Sequence, residues 1–535
     1  MPMGVSTSHE PSAEKAAASL RGQPPDQLWR RMSYEYGGGL VGAVVSFIVL
    51  LLLSRRLSVE EFGLYQVILN AMVFGAILLN FGLPSSMSRF VPEYVATGDL
   101  GALRKLLRTG LLLILAGGVL GGIFSFVCRA EFAGLMRQAR FAPFAAIGWL
   151  WATVRAIIGL LEAALDALRG QVIKNRLSML FSLAEVAVVV GLLQRPNLLP
   201  AVIVGFVAID VLLMGGYAVL LRRRLLSLGE SPEPVRQPRR VLGRSFWFGT
   251  KEYASVVLAF LWDIRVDLFL MSALLGATAA GVFGFAMAIM NSLWAWSPGT
   301  LLRLISRPLF VEAHLGGRGD HSLLALFQWY LIVSLLFAVP IFVSAIVLYR
   351  PLVQLLFRPE YLDASLVVGL LGIGMLGKAV LDSMRNVLVA TEQVGRWTLL
   401  NLLACAKVLL AYGLIRAWGM LGAGIALIAT VCAMTGYLSW WASRQLGLRF
   451  PWGALRRIGA NGLVLVAVLS LGTYLIRSLG GLITVVGAGL GAYAVLTIFN
   501  PPFRIRSGSL WQRGRELVGV LRDAGSVRTS VGECA

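Results

Sequence analysis

The sequence predicts an all-α integral membrane protein, and three observations predict it. Segment after segment reaches the roughly 17 to 25 apolar residues needed to cross a hydrocarbon core of about 30 Å. Of the 535 residues 57% are hydrophobic and 14% charged, with a mean hydropathy of +0.77; a soluble chain carries about a quarter charged residues. The Arg and Lys residues fall mostly in short connections and at the termini, as membrane topology demands. A span meets no water in the core, so it satisfies its own backbone hydrogen bonds and is helical.

About fourteen spans can be placed in order. The first six run about 37–54, 64–84, 108–128, 141–168, 176–194 and 199–221. The next six run about 246–273, 279–299, 324–349, 364–389, 396–416 and 420–442, and two more about 458–478 and 481–499. The expected organisation is a disordered tail (1–36), a first lobe of spans 1 to 6 (37–221) and a basic linker (222–245). A second lobe of spans 7 to 12 (246–442), spans 13 and 14 (458–499) and a basic tail (500–535) follow. The linker holds Arg222, Arg223, Arg224, Arg236, Arg239, Arg240 and Arg244 and cannot cross a bilayer. With both termini in the cytoplasm, inside segments hold about three times as many Arg and Lys as outside ones, and the topology satisfies the positive-inside rule.

The net charge of +21 would suggest nucleic acid in a soluble chain. Here it reads as topology plus attraction to anionic lipid, without the basic-aromatic patches that bind single strands. Cys128, Cys405, Cys432 and Cys534 form no CxxC pair, and the three histidines have no metal-ligand spacing, so neither metal nor cofactor is expected. Gly372 to Lys378 mimics a phosphate-binding loop, but Ala379 stands where Ser or Thr is required and the segment lies inside an apolar span.

A faint repeat appears at an offset of 218 residues. Leu52, Ser54, Leu57, Gly63, Met72, Ser88 and Arg89 recur as Leu270, Ser272, Leu275, Gly281, Met290, Ser306 and Arg307. Spans 1 and 7 would both start on the cytoplasmic side, giving two parallel, pseudo-symmetric six-helix lobes plus two C-terminal helices. Transporters built so hold cargo between the lobes near the midplane.

The segment Arg56-Leu57-Ser58-Val59-Glu60-Glu61-Phe62-Gly63-Leu64-Tyr65, followed by Phe81-Gly82-Leu83-Pro84 and Arg89-Phe90-Val91-Pro92-Glu93, resembles the hallmark of the polysaccharide-transporter (Wzx-type oligosaccharide flippase) family. Asp267-Leu268-Phe269-Leu270 with Ala280-Gly281-Val282-Phe283, and Leu356-Phe357-Arg358-Pro359-Glu360-Tyr361, are similar to later family segments. Arg358 departs from the Gly that the family often has there. The resemblance implies a bacterial inner-membrane flippase, not an enzyme, that moves an undecaprenyl-pyrophosphate-linked oligosaccharide for O-antigen, capsule or exopolysaccharide synthesis. Implied partners are that lipid-linked sugar, membrane lipids and a polysaccharide polymerase or export complex. A MATE-like cation/drug antiporter is the alternative, and a polysaccharide polymerase or ligase a weaker one, because no outside loop is long enough for acceptor chemistry.

Ionisable groups inside spans each cost at least about 2.5 kcal/mol near the bilayer centre unless a partner or cavity receives them. Span 4 carries Arg155, Glu162, Asp166 and Arg169 within roughly 40° of one stripe. Span 10 carries Lys378, Asp382 and Arg385; span 7 carries Lys251, Glu252, Asp263, Arg265 and Asp267; spans 5, 6 and 11 carry Glu185, Asp210 and Lys407. The candidate substrate contacts are Arg155, Lys378, Lys407 and Arg265, with Arg89 and its counterpart Arg307; Arg suits bidentate contact with phosphate. The candidate ion-coupling carboxylates are Glu162, Asp166, Glu185, Asp210, Asp263 and Asp382. The Lys378–Asp382 spacing also suits an ion pair within one helix.

Overall fold

The computed structural model describes residues 25–96, 99–168, 170–227, 238–297, 320–391 and 393–502. Every regular element among them is helical. Twelve helices are long and apolar enough to cross a membrane, and they coincide with spans 2 to 6 and 8 to 14. Span 1 lies in the helix Pro25–Arg56, which starts within the segment expected to be disordered. Span 7 is split into Pro238–Leu261 and Ile264–Leu275. Span 6 continues to Ser227, past the three arginines assigned to the linker. Span 11 is distorted at Cys405, between Val394–Ala404 and Ala406–Trp418, but keeps helical backbone there.

Span 2 (Val59–Leu79) starts earlier than its apolar run suggests, because a capping box fixes its end. Glu61 N–H donates to Ser58 Oγ at 3.2 Å, and Ser58 N–H donates to the Glu61 carboxylate at 3.0 Å. The chain then turns at Phe81 and Gly82, both with positive φ, into a separate helix, Leu83–Ala96. Pro84 sits in its first turn, where a missing N–H costs nothing.

The packing repeats with the sequence. Spans 1 and 5, 2 and 4, 3 and 4, 4 and 6, and 5 and 6 pack together. The same pairings recur six spans later, as 7 with 11, 8 with 10, 9 with 10, 10 with 12, and 11 with 12. Spans 13 (Trp452–Gly472) and 14 (Leu479–Phe499) pack on each other and against span 9, outside this plan.

The halves meet where span 2 crosses span 8 (Ala277–Ala295), and residues 218 apart face each other there. Thr278 Oγ1 donates to Glu60 Oε1 at 3.3 Å. A Cβ on Gly63 would lie 2.5 Å from Ala277 O and 2.7 Å from Gly281 N, and one on Gly284 would lie 3.0 Å from Gln66 Cβ. Equivalent residues touch in this way only beside a pseudo-twofold axis, so the axis runs between spans 2 and 8.

At the Val59 end of this interface Phe285 stacks on Tyr361 at 4.1 Å and meets Phe62 at 6.2 Å and Phe357 at 4.8 Å. Two arginines clasp the same end reciprocally. Arg55 donates to the carbonyls of Leu355 and Leu356, and Arg358 Nη1 donates to Leu57 O at 2.9 Å. Arg358 has φ −82°, so its backbone needs no glycine. At the opposite end Phe74 stacks on Phe260 at 4.7 Å, Tyr253 Oη donates to Leu78 O at 3.0 Å, and Gly82 lies against the Gly249 backbone. The halves are in contact at both ends.

Substituting Gly63→Val or Gly281→Val forces side-chain atoms into the facing backbone, an overpacking cost of about 1–3 kcal/mol. Either variant is expected to lower the thermal midpoint in detergent. Gly42→Val, with open space around it, should leave the midpoint near that of the parent.

Candidate functional site

Each half carries an ionic cluster near the middle of its spans. In the first half, span 4 (Ala145–Ala167) presents Arg155, span 5 (Gln171–Leu192) Glu185 and span 6 (Leu198–Ser227) Asp210. Arg155 Nε lies 2.5 Å from Asp210 Oδ2, and Arg155 Nη2 lies 3.7 Å from Glu185 Oε1. Trp151, one turn before Arg155, donates its indole N–H to Asp210 Oδ2 at 2.6 Å. Asp210 is 1% exposed and its other oxygen is buried without a hydrogen bond. Arg155 keeps 36% of its side-chain surface and Glu185 27%. One cation thus faces two carboxylates.

The second half has the opposite balance. Asp263 caps the second segment of span 7, accepting the Arg265 N–H at 3.1 Å, and draws Lys378 of span 10 (Ser365–Ala390) to 3.6 Å and the Arg265 side chain to 3.9 Å. Lys378 also stands 5.4 Å over the Trp294 ring, a cation–π contact from span 8. Lys407 Nζ donates to Asp267 Oδ2 at 2.6 Å and to Asp263 O at 3.3 Å, with both side chains enclosed. Three cations here serve two carboxylates.

The remaining candidates lie elsewhere. Asp166 pairs with Lys174 at 2.7 Å near the end of span 4, with Glu162 within electrostatic reach of both. Lys378 takes Asp263 as its partner across helices, in place of Asp382 on its own helix. Arg89 lies on the short helix after span 2, 3.3 Å from Glu93. Arg169 and Arg307 fall outside the described residues. The sequence reading missed Trp151, Trp294 and Lys174. A tryptophan four residues before a mid-span Arg is a signal for the first, but the other two become partners only through tertiary packing.

An all-helical membrane transporter built of two pseudo-symmetric halves is the class these features define. Residues 28–293 match the model of a family described as "Polysaccharide biosynthesis protein". That match covers just under half of the chain and supports a place among the polysaccharide transporters, which are transporters and not enzymes. Among solved structures it is similar to the lipid II flippase MurJ in an inward closed conformation, with TM-score 0.68 and 13% identity, covering 88% of this chain and 98% of that one. It is also similar to an inward-facing multidrug resistance MATE family transporter, with TM-score 0.60 and 14% identity, covering 76% and 94%. At these identities the likeness is one of fold. No curated protein sequence matches the chain.

Arg155→Met leaves Asp210 and Glu185 without their cation and is expected to lower the thermal midpoint. Adding Asp210→Asn to that variant should recover part of the loss, with a coupling of about 0.5–3 kcal/mol in a double-mutant cycle. Strictly additive effects would show that the pair does not interact.

Proposed function

We propose that this protein is a flippase carrying an undecaprenyl-pyrophosphate-linked oligosaccharide from the cytoplasmic to the periplasmic leaflet of a bacterial inner membrane, with both termini cytoplasmic. One observation carries the reading: partly exposed cations stand at mid-span depth in both halves, Arg155 in one and Arg265 and Lys378 in the other. Facing lipid there would cost each at least about 2.5 kcal/mol, so these side chains border a hydrated passage between the halves. Guanidinium and ammonium groups suit a pyrophosphate, and the family match supports a carrier lipid of polysaccharide synthesis as cargo.

The two end contacts of the interface act as alternating gates. Releasing the Val59 end opens the passage to the periplasm, and releasing the Gly82 end opens it to the cytoplasm. The unbalanced carboxylates Glu185 and Asp210 are the sites for a driving proton or cation. Asp263 and Asp166 are already paired with cations, and Glu162 and Asp382 are further candidates for the same role. A polysaccharide polymerase or export complex would consume the flipped lipid. The excess of carboxylate in the first half favours one second reading, a MATE-like cation-coupled antiporter of small molecules.

Reconstitution into proteoliposomes with a polyprenyl-pyrophosphate-linked oligosaccharide, read by an impermeant sugar-modifying reagent, separates the two. The wild type is expected to expose the sugar on the opposite leaflet. Arg155→Ala or Lys378→Ala should slow this about tenfold or more, in line with losing a charged hydrogen bond of about 1.5–3 kcal/mol. Movement of small organic cations with no sugar exposure would replace the flippase reading by the antiporter.

A further inference from the structure

Span 7 breaks beside span 11. Span 7 stops at Leu261 and restarts at Ile264, whereas span 11 is only distorted at Cys405, whose backbone stays helical and whose N–H still donates to Asn401 O at 3.2 Å. Interrupting a helix inside hydrocarbon frees backbone groups where they are most costly, and such breaks persist where the freed groups serve a ligand. Part of the opening is stitched by side chains: Trp262 Nε1 donates to Asn401 Oδ1 at 3.1 Å, and Asn401 Nδ2 donates to Ser255 O at 3.3 Å. Beside the break, Asp267 Oδ2 and Asp263 O, the latter also accepting the Val266 N–H at 3.2 Å, both receive the ammonium of Lys407.

A carboxylate and a backbone carbonyl at a broken midplane helix make the oxygen environment that holds hard monovalent cations in transporters. Asp263 already has Lys378 and Arg265, whereas Lys407 is the one ion-pair partner of Asp267 among the described residues. We propose that Lys407 is a resident cation: its ammonium fills a monovalent-cation site at the break in span 7. The second half thereby supplies its own counter-ion, and exchangeable cations are left to the first half. The assignment needs only the transporter fold, whatever the cargo.

Folding stability tests it without any transport assay. Lys407→Ala is purified in detergent in choline chloride at about pH 8, well above the ordinary carboxylate range. It is then titrated with NaCl or KCl at constant ionic strength. Its thermal midpoint is expected to rise saturably with at least one metal cation toward the wild-type value, because a ligand that binds only the native state stabilises it. Wild type should respond no more to sodium or potassium than to choline, and Lys407→Ala/Asp267→Asn should lose the response. If Lys407→Ala cannot be extracted in choline, recovery in NaCl or KCl supports the site. Equal midpoints in the three salts, or loss of the variant in all of them, overturns it.

Discussion

The approach of Gly63 to Gly281 sets the geometry of the whole molecule. Two helices can bring their backbones into contact only where side chains are absent, and in a bilayer such contact drives association because lipid offers no hydrophobic gain. The contact lies between sequence-equivalent residues, so it also defines the axis relating the halves. Each half then packs by the same scheme, and the aromatic cluster of Phe62, Phe285 and Tyr361 fills the space beside the crossing. The capping box at Ser58 places Gly63 at the right height. The segment Ser58 to Tyr65 is therefore a packing device that joins the halves.

Charge is distributed by a different logic. A lone ion in hydrocarbon is too costly to keep, yet a buried pair adds little net stability over an apolar one. The ionic groups here are paired mainly inside their own half: Arg155 with Asp210 and Glu185, Lys407 with Asp267, Lys378 with Asp263. Each half can then move as a unit without exposing an uncompensated charge. The ion pairs described above each lie within spans 1 to 6 or within spans 7 to 12, and the contacts that join the halves at their ends are hydrogen bonds to carbonyls, aromatic contacts and close backbone packing. Such contacts are of a size that binding cargo or a cation can offset.

The two ends are closed by different means. At the Val59 end the arginine clasp is reciprocal, each half holding carbonyls at the end of a helix in the other. At the Gly82 end a stacked phenylalanine pair and one tyrosine hydroxyl hold span 7 against the chain leaving span 2. Span 7 is the broken helix, so the gate at that end and the ionic cluster of the second half share one element. Movement of its first segment would be felt directly at Asp263.

The sequence by itself determined the membrane class, the position of nearly every span and the 218-residue repeat, because apolar length and local spacing are properties of the linear chain. It also singled out Arg155, Asp210, Asp263 and Lys407, since charge inside an apolar run is legible wherever the run is. Only the tertiary structure decided who pairs with whom. Lys378 turns from Asp382 on its own helix to Asp263 on another, and Arg155 finds its carboxylates on spans 5 and 6. Ion pairing in a low dielectric is chosen by distances of a few ångströms across helices, and periodicity along one helix carries no information about them. The break in span 7 was equally hidden, since no Pro or Gly marks it and its charges read as lying inside one span.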